Sequence, residues 1–155
     1  MKKIKNLASL ILILTVLISC SNDDDNLSPT IVDVWSIEKV GYMNASNDVT
    51  TEYDWSHDCS TKTDHMVLTS TENFTFNYYS AACENTFFAQ EIGAYSFDES
   101  NNRLTISGGT DWDGNYNVIS LTETELLLKI IVGVSENRIN DRLGENNYYK
   151  FSRRN

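Results

Sequence analysis

From Ile31 onward the chain consists of short runs in which apolar and polar residues alternate, split by polar turns, with no stretch of helical period. A period of two puts one face of each run on a core and the other in water, so the runs read as strands. Eight are predicted: 32–42, 65–70, 74–82, 87–97, 103–107, 116–121, 126–134 and 147–152. Phe74, Phe76 and Tyr78 share one face of the third, and Leu104 and Ile106 one face of the fifth. The turns at 99–102, 108–109 and 113–115 carry Asn and Gly, which tolerate a left-handed backbone, and 122–125 links the sixth run to the seventh. The single proline, Pro29, precedes the strands and interrupts none of them. Segment 43–62 has no clear period and is open as a lid-like loop, a short helix or an irregular strand. Consecutive hairpins without crossover helices imply an all-β antiparallel meander. Eight such strands can close into an up-and-down barrel, which removes exposed edges. An open or flattened barrel is the nearest competitor.

The N-terminus has a different character. Lys2, Lys3 and Lys5 precede an apolar run over 7–18, broken only by Ser9 and Thr15. That run is shorter than the roughly 20 residues a spanning helix needs and suits the core of an export signal. It ends in Leu17-Ile18-Ser19-Cys20, which resembles the bacterial lipobox. The resemblance implies that residues 1–19 are removed and that Cys20 carries a diacylglycerol, with further acylation of its new amine. Acyl chains stabilise membrane attachment by about 0.8 kcal/mol per buried CH₂. Residues 20–30 then read as the lipidated Cys and an acidic tether through Asp23, Asp24 and Asp25, and 31–155 as one domain. Acidic residues just after the lipidated Cys resemble the surface-export signal of Bacteroidota lipoproteins, implying an outer-membrane location facing outwards.

Loss of three lysines with the signal leaves nine of the 12 cationic residues against 22 acidic ones, a mature charge of −13. That field repels phosphate backbones, so no nucleic-acid partner is expected. Membrane contact is expected through the lipid and not through a basic patch. A monomer is expected.

Cys59 and Cys83 remain, an even pair in an exported chain, and a disulfide is the default reading. A hairpin turn at 71–73 would place both at its open end, since each lies twelve residues from Thr71. A loop of that size contributes about 3 kcal/mol in the chain-entropy model.

The order of features then resembles the lipocalin-like lipoproteins of Bacteroidota. Ile31-Val32-Asp33-Val34-Trp35 is similar to the family opening, although Asp33 stands where the usual motif has Gly before x-Trp. Gly93-Ala94-Tyr95-Ser96-Phe97 with Leu104-Thr105-Ile106 resembles a Gly-x-Tyr…Leu-Thr-Ile segment. Ile119-Ser120-Leu121-Thr122 with Glu125-Leu126-Leu127-Leu128 resembles the next hairpin, and Tyr149-Lys150-Phe151-Ser152-Arg153 the closing strand. The resemblance implies an eight-stranded barrel around an apolar cup, with no particular ligand.

Trp35, Phe76, Tyr78, Tyr95, Leu128 and Tyr149 are the expected lining of such a cup, and they serve equally well as plain core. Asp54, His57, Asp58, Asp64 and His65 gather both histidines, but their spacing matches no metal motif, so a polar loop is expected and no metal. Asp111-Trp112-Asp113-Gly114-Asn115 has alternating oxygen ligands, yet Gly and Glu are not where an EF-hand needs them, so it reads as a hairpin turn. No nucleophile–base pair, phosphate loop or H-E-x-x-H is present, and neither an enzyme nor a cofactor is expected. Two functions stand. One is a lipid-anchored barrel holding a small apolar or amphipathic ligand. The other is a solid-barrel scaffold whose loops contact a protein or glycan, with Tyr53 and Trp55 as anchors.

Overall fold

The computed structural model describes residues 29–85, 90–108, 110–131 and 146–154. Its nine strands are β1 (Asp33–Met43), β2 (Val49–Asp54), β3 (His65–Leu68), β4 (Asn73–Asn77), β5 (Gln90–Asp98), β6 (Arg103–Ser107), β7 (Gly114–Leu121), β8 (Glu125–Ile130) and β9 (Tyr148–Arg153). Every pairing is antiparallel, and β9 returns to pair with β1. The closed barrel therefore uses eight strands, β1 and β3 to β9, as expected. The turns after β3, β5 and β7 and the start of β1 lie at one end, here the entry end. The C-terminal ends of β1, β4, β6 and β8 lie at the far end.

The ninth strand, β2, lies within the segment that shows no period in the sequence. Five of its six residues are exposed, so burial imposes no alternation on it. Among the described residues it pairs only with β1, and Gly41 allows it to lie close, because a Cβ there would strike the Thr51 carbonyl. Two further expectations are corrected. The strand predicted over 74–82 stops at Asn77. The turn placed at 113–115 lies earlier: Asp113 N donates to the Thr110 carbonyl at 3.1 Å, and Asp113 Oδ1 accepts from Thr110 N and Oγ1. Gly114 is already in β7, opposite Ile106. Residues 87–89 and 132–134 of two predicted strands lie outside the described residues, as do 1–28 and with them Cys20.

Inward positions follow the period of two. Trp35, Met66, Leu68, Phe74, Phe76, Leu104, Ile106, Tyr116, Leu126, Leu128, Tyr149 and Phe151 are at most 2 % exposed and form one core. Each contributes about 1.5–3 kcal/mol of transfer free energy. Two bulges adjust the walls. Glu38 is the extra residue between Ile37 and Lys39, and Ile119 the extra one between Val118 and Ser120.

One edge of β1 is shared between two partners. β3 covers it over Asp33–Ser36 and β2 over Lys39–Met43, leaving a seam in the wall. The segment between β2 and β3 fills that seam. Trp55 N donates to the Glu38 carbonyl at 2.8 Å, and Ile37 N donates to the Asp64 carbonyl at 3.2 Å. The expected disulfide is present: Cys59 and Cys83, with Cα atoms 4.9 Å apart, tie this segment to the β4–β5 connection.

Candidate functional site

The six side chains expected to line a cup all face inward and all are buried, but they do not converge on one space. Phe76, Tyr78 and Tyr149 surround a seventh ring, Trp112, delivered by the β6–β7 connection. Trp112 stacks on Phe76 at 4.5 Å and meets Tyr149 edge-on at 5.1 Å. Its Nε1 donates to the Tyr78 hydroxyl at 3.1 Å. Trp112 thus occupies the central volume from the far end. No local pattern marks it for this role; it sits inside the Thr110–Asp113 turn and belongs to no strand. Leu128 packs into the same core.

Trp35 lies at the entry end. Its Nε1 donates to the Ile31 carbonyl at 2.9 Å, and the Arg153 guanidinium lies over its ring at 5.1 Å. Arg153 Nε sits 3.0 Å from Asp33 Oδ2 as an ion pair, and its Nη2 donates to the Thr30 carbonyl. Tyr95 braces the same end: its hydroxyl donates to the Thr69 carbonyl at 2.7 Å, closing the β3–β4 turn. Burial pushes the Tyr95 phenol up.

The far end holds a carboxyl that the sequence reading did not single out. Glu91 stands opposite Phe76 in the β4–β5 register and so shares its inward face. Burial, then the nearby Asp111 carboxylate, pushes Glu91 up to about 7. Asp111 N donates to Glu91 Oε2 at 2.6 Å, which anchors the connection carrying Trp112. Burial also pushes the Tyr78 phenol up, with Glu91 next in effect.

Of the five residues of the polar cluster, His57 and Asp64 stay together while Asp54 and His65 take other partners. Asp64 is fully buried and accepts from Trp55 Nε1 at 2.9 Å and from Tyr79 N at 2.8 Å, while its own N–H donates to His57 Nδ1. This satisfies a carboxylate that would otherwise be costly to bury. Asp54 instead lies 3.6 Å from Lys39 Nζ. His65 is held on the outer face by Asn77, Arg154 and the Tyr79 ring, and desolvation lowers its pKa. Among the described residues no three His, Cys, Asp or Glu side chains are placed to hold a metal.

An open cleft of about 330 Å³ lies at the entry end. Phe97, Val118 and Leu121 supply its apolar wall, Pro29 and Thr30 one rim, and Glu99, Asn102 and Ser120 polar groups around it. The Ile119 bulge shapes this wall: it resets the alternation so that Leu121, opposite buried Leu126, turns inward. The cleft lies at the barrel mouth, and none of its lining residues is in the set proposed from the sequence.

No curated protein and no solved structure matches the chain. The family profile described as a lipocalin-like domain matches residues 31–128, from just before β1 to within β8. With more than half its length matched and a closed eight-stranded barrel, the chain belongs to the family of lipocalin-like domains.

Proposed function

We propose that this protein is a monomeric surface lipoprotein, exported by residues 1–19 and anchored in the outer membrane through lipidated Cys20, whose barrel binds a small apolar or amphipathic ligand. Its role is binding and not catalysis. The entry-end mouth carries the reading: a cleft of about 330 Å³ with Phe97, Val118 and Leu121 on its wall and polar groups at its rim. A few polar groups around an apolar wall are what an amphipathic ligand requires. The family and the barrel support a ligand-binding scaffold. The anchor rests on the lipobox and acidic run.

Native mass spectrometry of the protein purified from its host tests the binding role. A small molecule that co-purifies and leaves on denaturation is expected, and Leu121→Ser should reduce its occupancy. A bare mass under gentle conditions would sink this reading. A Cys20→Ala variant should lose palmitate incorporation and membrane association; retention of both would remove the anchor.

A second reading, a solid scaffold for a protein or glycan partner, draws on Trp112 filling the interior. Its two proposed anchors divide: Tyr53 is 57 % exposed on β2, whereas Trp55 is buried.

A further inference from the structure

The segment between β2 and β3 is tied to the β4–β5 connection by a disulfide whose two sulfurs have unlike surroundings. Cys59 is 3 % exposed, whereas Cys83 is partly open to solvent. We propose that the Cys59–Cys83 bridge is a thiol–disulfide exchange site, opened in the folded domain by a dithiol reductant that attacks Cys83 and expels Cys59.

Hydrogen bonds single out Cys59 as the leaving sulfur. Thr61 N and Lys62 N both donate to Cys59 Sγ, at 3.3 and 3.1 Å. Two successive backbone N–H groups that converge on one atom suit an anion. A thiolate gains more from these donors than a disulfide sulfur does, and a stabilised leaving thiolate speeds exchange. The Thr61 hydroxyl lies 3.5 Å from each sulfur, so it is placed to donate to whichever carries the charge.

Cys83 has the features of the attacked sulfur. Besides its exposure, its φ of 60° lies in the left-handed region, which a residue with a Cβ adopts at a cost. The turn that holds it there is closed by Cys83 N donating to the Ser80 carbonyl at 2.7 Å. Opening the bridge frees this turn to relax. Lys62 Nζ donates to the Cys83 carbonyl at 3.0 Å, setting a positive charge at the turn against the negative one of the adjacent Glu84.

The exchange runs in two steps. A thiolate of the reductant attacks Cys83 Sγ; a new S–S bond forms, the Cys59–Cys83 bond breaks, and its electron pair leaves on Cys59. The second thiol of the reductant loses its proton to water and attacks the reductant sulfur of this mixed disulfide, so that Cys83 leaves as a thiolate. The reductant ends as a disulfide, oxidised by two electrons, and the bridge as two thiols that take their protons from water. The barrel ladder is untouched, and the bonds that join Trp55 and Asp64 to β1 stay in place. What loosens is the span between them, of which Ser56 and Asp58 line an outward cleft of about 310 Å³ at the seam.

Peptide mapping of the full chain, purified from its host in a neutral maltoside detergent, tests the proposal. After brief exposure to reduced glutathione and a quench with N-ethylmaleimide, the glutathione adduct should lie on Cys83 at least about tenfold more often than on Cys59. Reduction by dithiothreitol should be first order in reductant, and urea below the unfolding transition should change its rate by less than about twofold. Thr61→Val, at an exposed position, should slow reduction about threefold with the thermal midpoint unchanged. Adducts on Cys59 or equally on both cysteines, reduction only where the chain unfolds, or an unslowed Thr61→Val would each overturn the proposal.

Discussion

The two ends of the barrel use the same ingredients to opposite effect. At the entry end an indole, a carboxylate and a guanidinium meet: Arg153 covers Trp35 and pairs with Asp33. At the far end an indole and carboxyls meet around Trp112, Glu91 and Asp111, and among the described residues the groups that act on Glu91 include no cation. A buried carboxylate is stabilised by a positive partner or is neutralised by a proton. The entry end takes the first course and the far end the second. The entry end is closed by an ion pair, whereas the far end is closed by a carboxyl that burial pushes up to about 7, so its closure depends on pH.

The largest expected effect asks whether the two indoles are equally structural. Trp35→Ala and Trp112→Ala should each cost about 4 kcal/mol in denaturant unfolding, as full burial of a large ring implies. If Trp112→Ala costs less than about 1 kcal/mol, Trp112 is a removable plug and the far end is the cup after all. Next comes the covalent brace of the seam. Removing the Cys59–Cys83 bridge by a double change to Ser should cost about 3 kcal/mol. Hydrogen exchange should then rise first in residues 55–64 and the β4–β5 connection, with the entry end still protected; uniform loss of protection would show one indivisible unit.

The smallest effect addresses the pH contrast directly. Glu91 has a folded-state pKa of about 7, above the ordinary 4.5, so the native state holds a proton that the unfolded chain has released between those values. Stability from this group is therefore full below about pH 4.5 and is lost as pH rises through about 7. The loss should be about 2 kcal/mol, allowing for residual solvent at the carboxyl. Glu91→Gln should match the natural chain near pH 4.5 and exceed it at pH 8, read from urea midpoints at both values. A constant difference across that range would place the Glu91 proton outside the folding equilibrium.

Much of the wall was legible because burial on one face writes a period of two into a strand. The 103–107 run matches β6 residue for residue, and Leu104 and Ile106 both enter the core. β2 was illegible for the converse reason: Val-Thr-Thr-Glu-Tyr-Asp has no buried face to write a pattern. The disulfide was legible because a hairpin makes distance along the chain into distance in space. The parity of β5 already groups Glu91 with Tyr95 and Phe97, but not with Tyr78 or Asp111, which come from other elements. The mouth cleft escaped notice because the Ile119 bulge shifts parity by one residue.

By itself, then, the sequence determined the all-β class, the count of barrel strands and the cysteine pair, which depend on local periodicity or spacing, and the family, which its short motifs resemble. Only the tertiary structure decided that Trp112 fills the centre, that β1 is shared between β2 and β3, and that clefts open at the mouth and the seam. These are contacts between residues far apart in the chain. Their energies depend on packing and desolvation in three dimensions, which no local pattern of side chains encodes.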